Sequence, residues 1–146
     1  MRQIKFRGKR TGNSEWEYGD LAQAKDGFIY ICESQSVDER YGIGNRGEEN
    51  ILHDAYSVQP KTVGQYTGLK DKNGREIYEG DIVHFKCSGL SGKGYVYWAG
   101  KTAQFKILDI RDRTKGRSYP FYEDAVYRVD GNIYENPGLL KEGAEE

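Results

Sequence analysis

Short runs of alternating apolar and polar residues, each followed by a turn signal, constrain the fold of this chain more than any other feature. In residues 2–10, Ile4 and Phe6 alternate with charged residues, which is the period of two expected of a half-buried strand. Turn signals such as Asn73-Gly74 recur about every eight to twelve residues. This spacing predicts an all-β fold, an antiparallel barrel or sandwich of about eight to ten short strands, rather than a βαβ fold.

The C-terminal half carries the signals of a small barrel. Ser88–Gly94 contains three Gly and two Ser, which predicts a flexible loop. Asp130-Gly131 predicts a turn between short strands at 125–129 and 132–134. These signals are compatible with a stretch, 83–129, that could close as a small SH3-like barrel.

One or two short helical turns accompany the predicted strands. Glu48–Tyr56 is one candidate. Asn136 is a good N-cap and Pro137 suits the first helical position, so a second turn is predicted through Leu140. Residues 33–50 combine glycines and charges with few apolar groups, which predicts a long loop.

Length and charge limit the possible classes of protein. A chain of 146 residues is long enough for one domain, 1–146, with subregions at roughly 1–60 and 61–142. It carries 22 Lys+Arg against 23 Asp+Glu, which excludes a protein that holds DNA by bulk charge. No apolar run is long enough for a membrane span, and no signal peptide is present. We therefore expect a cytoplasmic protein with two reduced cysteines.

The apolar positions of the predicted strands form a candidate core. Its members are Trp16, Tyr66, Ile77, Ile82, Val83, Val96, Trp98, Phe105, Ile107, Val129 and Ile133. Gly80 and Gly131 are predicted turn positions, where a β-branched replacement would damage folding if φ is positive.

The residue types that ligate metals or act as nucleophiles are few and poorly spaced. The candidates are Cys32, His53, His84 and Cys87. If residues 82–87 form a strand, His84 and Cys87 face opposite sides, which spoils joint ligation. Nothing near either cysteine supports a Cys-His nucleophile. We therefore predict no metal ligand and no cofactor.

Carboxylate pairs for hydrolysis can be drawn from Glu79, Asp81, Glu123 and Asp124. Asp81 follows a glycine at a turn, where a carboxylate usually accepts bonds from nearby backbone N–H groups. Gly89–Gly94 lacks the spacing of a phosphate loop, and a strand rather than a helix is expected after it. We therefore predict no catalytic residue and a protein that is not an enzyme.

Two basic segments, 2–10 and 111–117, give a signal for nucleic-acid binding if they share a face. The candidate contacts are Lys5, Arg7, Lys9, Arg10, Arg111, Arg113, Lys115 and Arg117. Exposed tyrosines would supply stacking surfaces, and the candidates are Tyr18, Tyr97, Tyr119 and Tyr122. The alternative is a solvated surface, because Lys and Arg also blunt the edges of sheets.

The run from Thr62 to Val83, TVGQYTGLKDKNGREIYEGDIV, resembles the signature of the YopX family of phage and prophage proteins. Two flanking patterns also resemble the family: IKFRGK at 4–9 with Trp16, and GNIYENP at 131–137. The resemblance implies an all-β fold and a phage context, and it brings no catalytic residues. Residues 34–50 and 89–94 fall outside the resemblance and are candidate positions for contacts with a specific partner.

We expect an accessory protein that acts as a protein-interaction or assembly module in the bacterial host. Its partner would be a host or phage protein or a second copy of the chain, because strand-rich domains with open edges pair readily with other chains. The alternative is a small nucleic-acid-binding protein that uses segments 2–10 and 111–117. A membrane partner is not expected.

Overall fold

A computed structural model describes residues 2–33, 55–111 and 116–142. Within these residues the protein is all-β, with two antiparallel sheets of six and five strands and one short helix, and neither sheet closes into a barrel. The all-β prediction is therefore confirmed, but its SH3-like barrel is not formed. The chain divides into an N-terminal unit, Gln3–Gln65, and a C-terminal unit, Tyr66–Glu146 with Met1–Arg2.

The N-terminal unit is built from consecutive antiparallel pairs. Its strands are β1 (Phe6–Lys9), β2 (Trp16–Gln23), β3 (Ile29–Cys32), β4 (Ala55–Ser57) and the start of β5 (Gly64–Lys70). They run in the order β4-β3-β2-β1-β5, and a 3-10 turn at Pro60–Thr62 precedes β5. Ile31 and Val58 are fully buried in this unit.

The C-terminal unit contains the rest of β5, which pairs with β6, and all of the second sheet. Its further elements are β6 (Glu76–Tyr78), β7 (Asp81–Cys87), β8 (Leu90–Ala99), β9 (Gln104–Asp109), β10 (Ser118–Pro120), β11 (Val126–Asn132) and α1 (Leu139–Glu142). The five-stranded sheet has the order β10-β9-β8-β7-β11. The last strand in sequence therefore lies beside β7, and each neighbouring pair is antiparallel.

One face of the five-stranded sheet, which we call the inner face, carries the core. Its cluster consists of Ile77, Val83, Phe85, Val96, Ile107, Tyr119, Tyr127 and Val129. Alternate residues of the same strands point to the opposite, outer face. Two of the predicted core positions are only half-buried aromatics, Trp16 and Phe105, and the prediction of Trp98 was wrong, since this side chain is 48% exposed near the end of β8.

The predicted loop at Ser88–Gly94 is instead a tight turn followed by β8, whose residues pair with β7 from Cys87↔Leu90 to Ile82↔Tyr95. Gly92 lies over the ring of Phe85, and a Cβ at Gly92 would meet that ring at 2.5 Å. The glycine is needed here for close approach inside a sheet, so a glycine-rich composition was misleading.

The predicted turn at Asp130-Gly131 was also wrong. β11 continues through both residues, and its register with β7 shifts between Val129 and Gly131. This shift is a β-bulge, which accommodates the extra residue without reversing the chain. The actual turn follows at residues 133–135.

The two predicted helical turns differ in outcome. The one through Leu140 is confirmed as α1, whose first N–H groups bond back to Asn136 and Pro137 carbonyls. The candidate at Glu48–Tyr56 lies mostly outside the described residues, and its last part belongs to β4 rather than to a helix. The predicted loop at 33–50 also lies outside them, except for Glu33.

Candidate nucleic-acid interface

Three cations of the N-terminal basic segment, Arg7, Lys9 and Arg10, lie against aromatic rings of their own unit. Arg7 is only 3% exposed, and its guanidinium carbon lies 4.6 Å from the centre of the Trp16 ring. The Lys9 ammonium lies 5.5 Å from the same ring. Lys5 is half-buried. Contacts of this kind stabilise the fold and leave less of each cation to face a ligand.

Arg10 is engaged in the same way. Its Nε donates to the Glu17 carboxylate at 2.6 Å, and its guanidinium carbon lies 3.7 Å from the centre of the Tyr56 ring. Contacts of segment 2–10 with nucleic acid stay a prediction. In the structure, Arg7, Lys9 and Arg10 contact aromatic rings or a carboxylate of the protein itself.

The second basic segment is only partly described. Arg113 and Lys115 lie outside the described residues. Arg111 turns back to Asp109, with its backbone N–H, Nε and Nη2 donating at 2.8, 3.2 and 3.1 Å. The carbonyl of Arg117 accepts a bond from the N–H of Asp109. Both described ends of the segment are therefore bonded to one buried residue, Asp109, Arg111 through the carboxylate and Arg117 through the backbone N–H.

Burial alone would raise the pKa of Asp109, but the hydrogen bonds from Arg111 and Tyr119 outweigh it and hold the pKa below its ordinary value. Tyr119 was predicted to be an exposed stacking residue and is buried, with its hydroxyl 3.3 Å from that carboxylate. Among the other predicted stacking residues, Tyr18 is exposed, while Tyr97 and Tyr122 are half-buried.

A third group of basic side chains, four cations and one histidine, gathers on the outer face of the five-stranded sheet, and the sequence did not single it out as a group. We call it the cationic face: Lys72, His84, Lys86, Lys93 and Arg128. Register brings three of them together, since His84 on β7 lies opposite Arg128 on β11 and Lys93 on β8. Side chains at such directly opposed positions lie about 5 Å apart at Cβ.

The cationic face contains a shallow depression of about 110 Å³. It is lined by Lys72, His84, Lys86, Val126, Tyr127 and Arg128. Asp130 contributes one carboxylate beside it, 2.7 Å from the Arg128 Nε and 3.9 Å from the Lys93 Nζ. Four cations and one carboxylate therefore surround the imidazole, which leaves the local charge positive.

The pKa of His84 is affected by burial and by these neighbouring charges. Burial and the neighbouring Arg128, Lys86 and Lys93 lower its pKa from the ordinary value, against an opposing effect of Asp130. His84 is therefore neutral at neutral pH. The Nη2 of Arg111, which lies just after β9, also donates to the Ser91 carbonyl of β8 at 3.0 Å.

Asp71 holds Lys72 in place at the edge of the face. One carboxylate oxygen accepts the N–H groups of Asn73 and Arg75, and the other accepts the Val129 N–H at 3.0 Å. The Lys72 N–H donates to the Tyr127 carbonyl. The turn at 71–75 thus covers the open edge of β11, where unpaired backbone groups would otherwise be exposed.

The carboxylates considered for hydrolysis do not form a site in the described residues. Asp81 is fully buried, and its Oδ2 accepts the Tyr78 N–H at 2.8 Å. Glu123 and Asp124 are exposed. In the part of the chain that the structure describes, no three His, Cys, Asp or Glu side chains gather as a metal site. His53 lies outside that part, and Cys32 and His84 belong to different units.

Across residues 2–33, 55–111 and 116–142, no helix has the length and apolar content needed to cross a bilayer.

Comparison with known proteins identifies the family. The family model described as YopX protein matches residues 5–141. The chain belongs to the YopX family. It is similar to the crystal structure of protein EF1440 from Enterococcus faecalis, with a TM-score of 0.45 and 21% sequence identity over 96% of this chain and 99% of that one. No match was found among curated proteins.

In this YopX protein, the polar groups of the family-like motifs hold turns. Asp71 and Asp81 do so around β6. In the C-terminal motif the Asn132 side chain accepts the N–H groups of Tyr134 and Glu135, and Asn136 accepts that of Asn132. These groups of the motifs therefore hold turns, and four of the five members of the cationic face lie outside the motifs.

Proposed function

We propose that this YopX protein is a non-enzymatic binding protein that holds nucleic acid on the cationic face. The observation that carries the proposal is the gathering of four cations around His84, from three adjacent strands and the turn at 71–75, three of which line one depression with it. Residues two apart on one strand, such as His84 and Lys86, are spaced about 6.7 Å apart, which suits successive phosphates of an extended backbone.

The composition of the face favours a polyanion over a protein partner. Protein interfaces are depleted in Lys and have an apolar centre. Here three of the five members are Lys, and Val126 is the apolar side chain that lines the depression. Phosphate contacts by Lys and Arg release counterions, so binding of this kind needs no base-specific groups. Because the net charge of the chain is −1, attraction of a polyanion depends on cations that are concentrated on one face.

The proposal is tested by a salt titration with charge-removal variants. We expect a labelled DNA or RNA oligonucleotide to bind at about 50 mM salt and to dissociate at about 200 mM. The double variant Lys86→Ala/Arg128→Ala should reduce the slope of log affinity against log salt by about one for each lost phosphate contact.

The matched control is Lys25→Ala/Lys101→Ala, which removes two exposed cations away from the face. Equal losses in both double variants would mean that only total charge matters and would contradict the proposed site. Absence of salt-sensitive binding by the unaltered chain would contradict the proposed function.

A second candidate function, contact with another protein, is favoured by one observation. Trp98 is 48% exposed and meets Phe105 edge-on with ring centres 5.0 Å apart. Exposed aromatic pairs are typical anchors of protein interfaces. If nucleic acid does not bind and light scattering shows an oligomer that Trp98→Ala dissociates, the assembly function predicted from the sequence becomes the better one.

The phage or prophage context, a homo-oligomeric state and a location in the cytoplasm of the bacterial host stay part of the proposal. The resemblance to the family supports the context. Light scattering on the full chain measures the oligomeric state directly.

A further inference from the structure

The depression on the cationic face is lined by His84 together with three cations, Lys72, Lys86 and Arg128. Arg128 approaches from β11, Lys93 from β8, Lys86 from two residues along β7, and Lys72 from the turn at 71–75. The carboxylate that faces the imidazole, Asp130, is already paired to Arg128 and Lys93. In the described part of the chain, the other charged groups that act on the imidazole are the cations Arg128, Lys86 and Lys93.

We infer that this depression receives a phosphate group of the bound nucleic acid, and that His84 takes up a proton from solvent when the phosphate enters. The inference rests on the proposed function and deepens it, because it names the position of one phosphate and a regulation of its binding by pH.

Two steps support proton uptake. In the free protein, burial and the surrounding cations disfavour a positive charge on His84 and lower its pKa, so the imidazole is neutral at neutral pH. A phosphate placed among those cations neutralises them and supplies an acceptor for an imidazolium N–H, and a charge-assisted bond of this kind is stronger than a neutral one. The protonated form of His84 is then favoured only in the complex.

Thermodynamic linkage between proton uptake and nucleic-acid binding makes the affinity for nucleic acid depend on pH. Because the complex binds one proton more than the free protein, affinity must rise as the pH falls through the range in which His84 titrates. We expect a gain of up to about tenfold for each unit of pH over that range. The other charged groups of the face are Lys, Arg and Asp side chains, and histidine is the residue type whose ordinary pKa lies in this range.

The experiment measures fluorescence anisotropy of a labelled single-stranded DNA oligonucleotide with the full chain, from about pH 8 to about pH 5.5 at constant ionic strength. Affinity should rise as the pH falls. His84→Gln, which keeps a hydrogen-bonding side chain without a titrating group, should bind with an affinity that no longer depends on pH.

The matched control is His53→Gln, since His53 is the other of the two histidines. It should keep the pH dependence of the unaltered chain. A second readout follows the His84 imidazole by NMR, and its titration should move to higher pH when the oligonucleotide is added. Thermal unfolding of both variants checks that they remain folded.

The outcomes separate the two proposals. Salt-sensitive binding without pH dependence, or pH dependence that survives His84→Gln, overturns the proton uptake and leaves the cationic face as the binding site. A third outcome is salt-sensitive binding in which an acidic peptide displaces the labelled DNA as effectively as unlabelled DNA does. This result overturns the assignment of the ligand as nucleic acid. No binding at any salt concentration overturns the inference together with the proposed function.

Discussion

At the scale of single residues, the carboxylates and glycines of the sequence motifs act on the backbone: the carboxylates accept hydrogen bonds from N–H groups, and the glycines allow tight turns and close approach. Gly80 has a φ of +88°, and its N–H and carbonyl bond to Val96 and Ile133 respectively. It joins β6 to β7 while contacting β8 and the end of β11. Only a residue without Cβ accepts this conformation at low cost. The expected turn at Gly80 is thus confirmed, and the one at Gly131 is replaced by a close approach to Asn136.

Gly80→Val should destabilise the fold by at least about 2 kcal/mol, because the positive φ is strained for a β-branched residue. A Cβ there would also meet the Tyr134 ring at 2.8 Å. Chemical denaturation measures the loss. The control is Gly100→Val, since Gly100 has an ordinary φ and nothing within 4 Å of its Cβ position. Equal stability of the two variants would contradict the assignment of strain to Gly80.

At the scale of elements, the hairpin of β7 and β8 decides where the charges lie. Its continuous register places His84 and Lys93 opposite each other on the outer face and Phe85 and Gly92 opposite each other on the inner face. A flexible loop at 88–94, which composition suggested, would have left Lys93 away from His84. The ordered hairpin is therefore a condition for the cationic face.

Gly92→Ala tests this hairpin. We expect a loss of about 1–3 kcal/mol in unfolding free energy, because the new methyl group overlaps the buried ring of Phe85. Ser91→Ala, one residue away on the exposed outer face, should change stability by less than about 0.5 kcal/mol. Urea denaturation of both variants gives the comparison. An unchanged stability in Gly92→Ala would mean that the segment behaves as the loop predicted from composition.

At the scale of the whole molecule, buried carboxylates link stability to pH. Burial opposes ionisation of Asp71, but backbone N–H groups of Val129, Arg75 and Asn73 outweigh it and lower its pKa. Asp109 behaves in the same way. A carboxyl whose pKa is lower in the folded than in the unfolded state stabilises the fold above the unfolded pKa, and this contribution is lost as the pH falls through the folded pKa.

Asp71→Asn should therefore cost about 1–3 kcal/mol at neutral pH, because one of its buried N–H partners loses an acceptor. The difference from the unaltered chain should begin to shrink as the pH falls below the unfolded-state pKa of about 4, and it should disappear as the pH falls through the lower pKa of the folded-state carboxyl. Thermal unfolding between neutral pH and about pH 3 follows both proteins. Asp26→Asn, in an exposed turn with one such bond, is the control and should cost less. A difference that is constant with pH would refute the linkage.

The features that could be predicted from the amino-acid sequence are those that depend on residues close together in the chain: strands, turns and contiguous motifs. Alternation predicted the strand in residues 2–10 that contains β1, and Asn73-Gly74 predicted the turn before β6. The family resemblance was likewise carried by contiguous motifs and is confirmed.

Tertiary structure alone decided which strands pair and which charges meet. The bond from Val129 to Asp71 spans 58 residues, and the neighbours of His84 come from two other strands and a turn. Alternation states that a side chain faces outward but carries no information about the strand beside it, because strand pairing is set by the packing of the inner face and by turns distant in sequence. For this reason the basic segments were visible in the sequence and the cationic face was not.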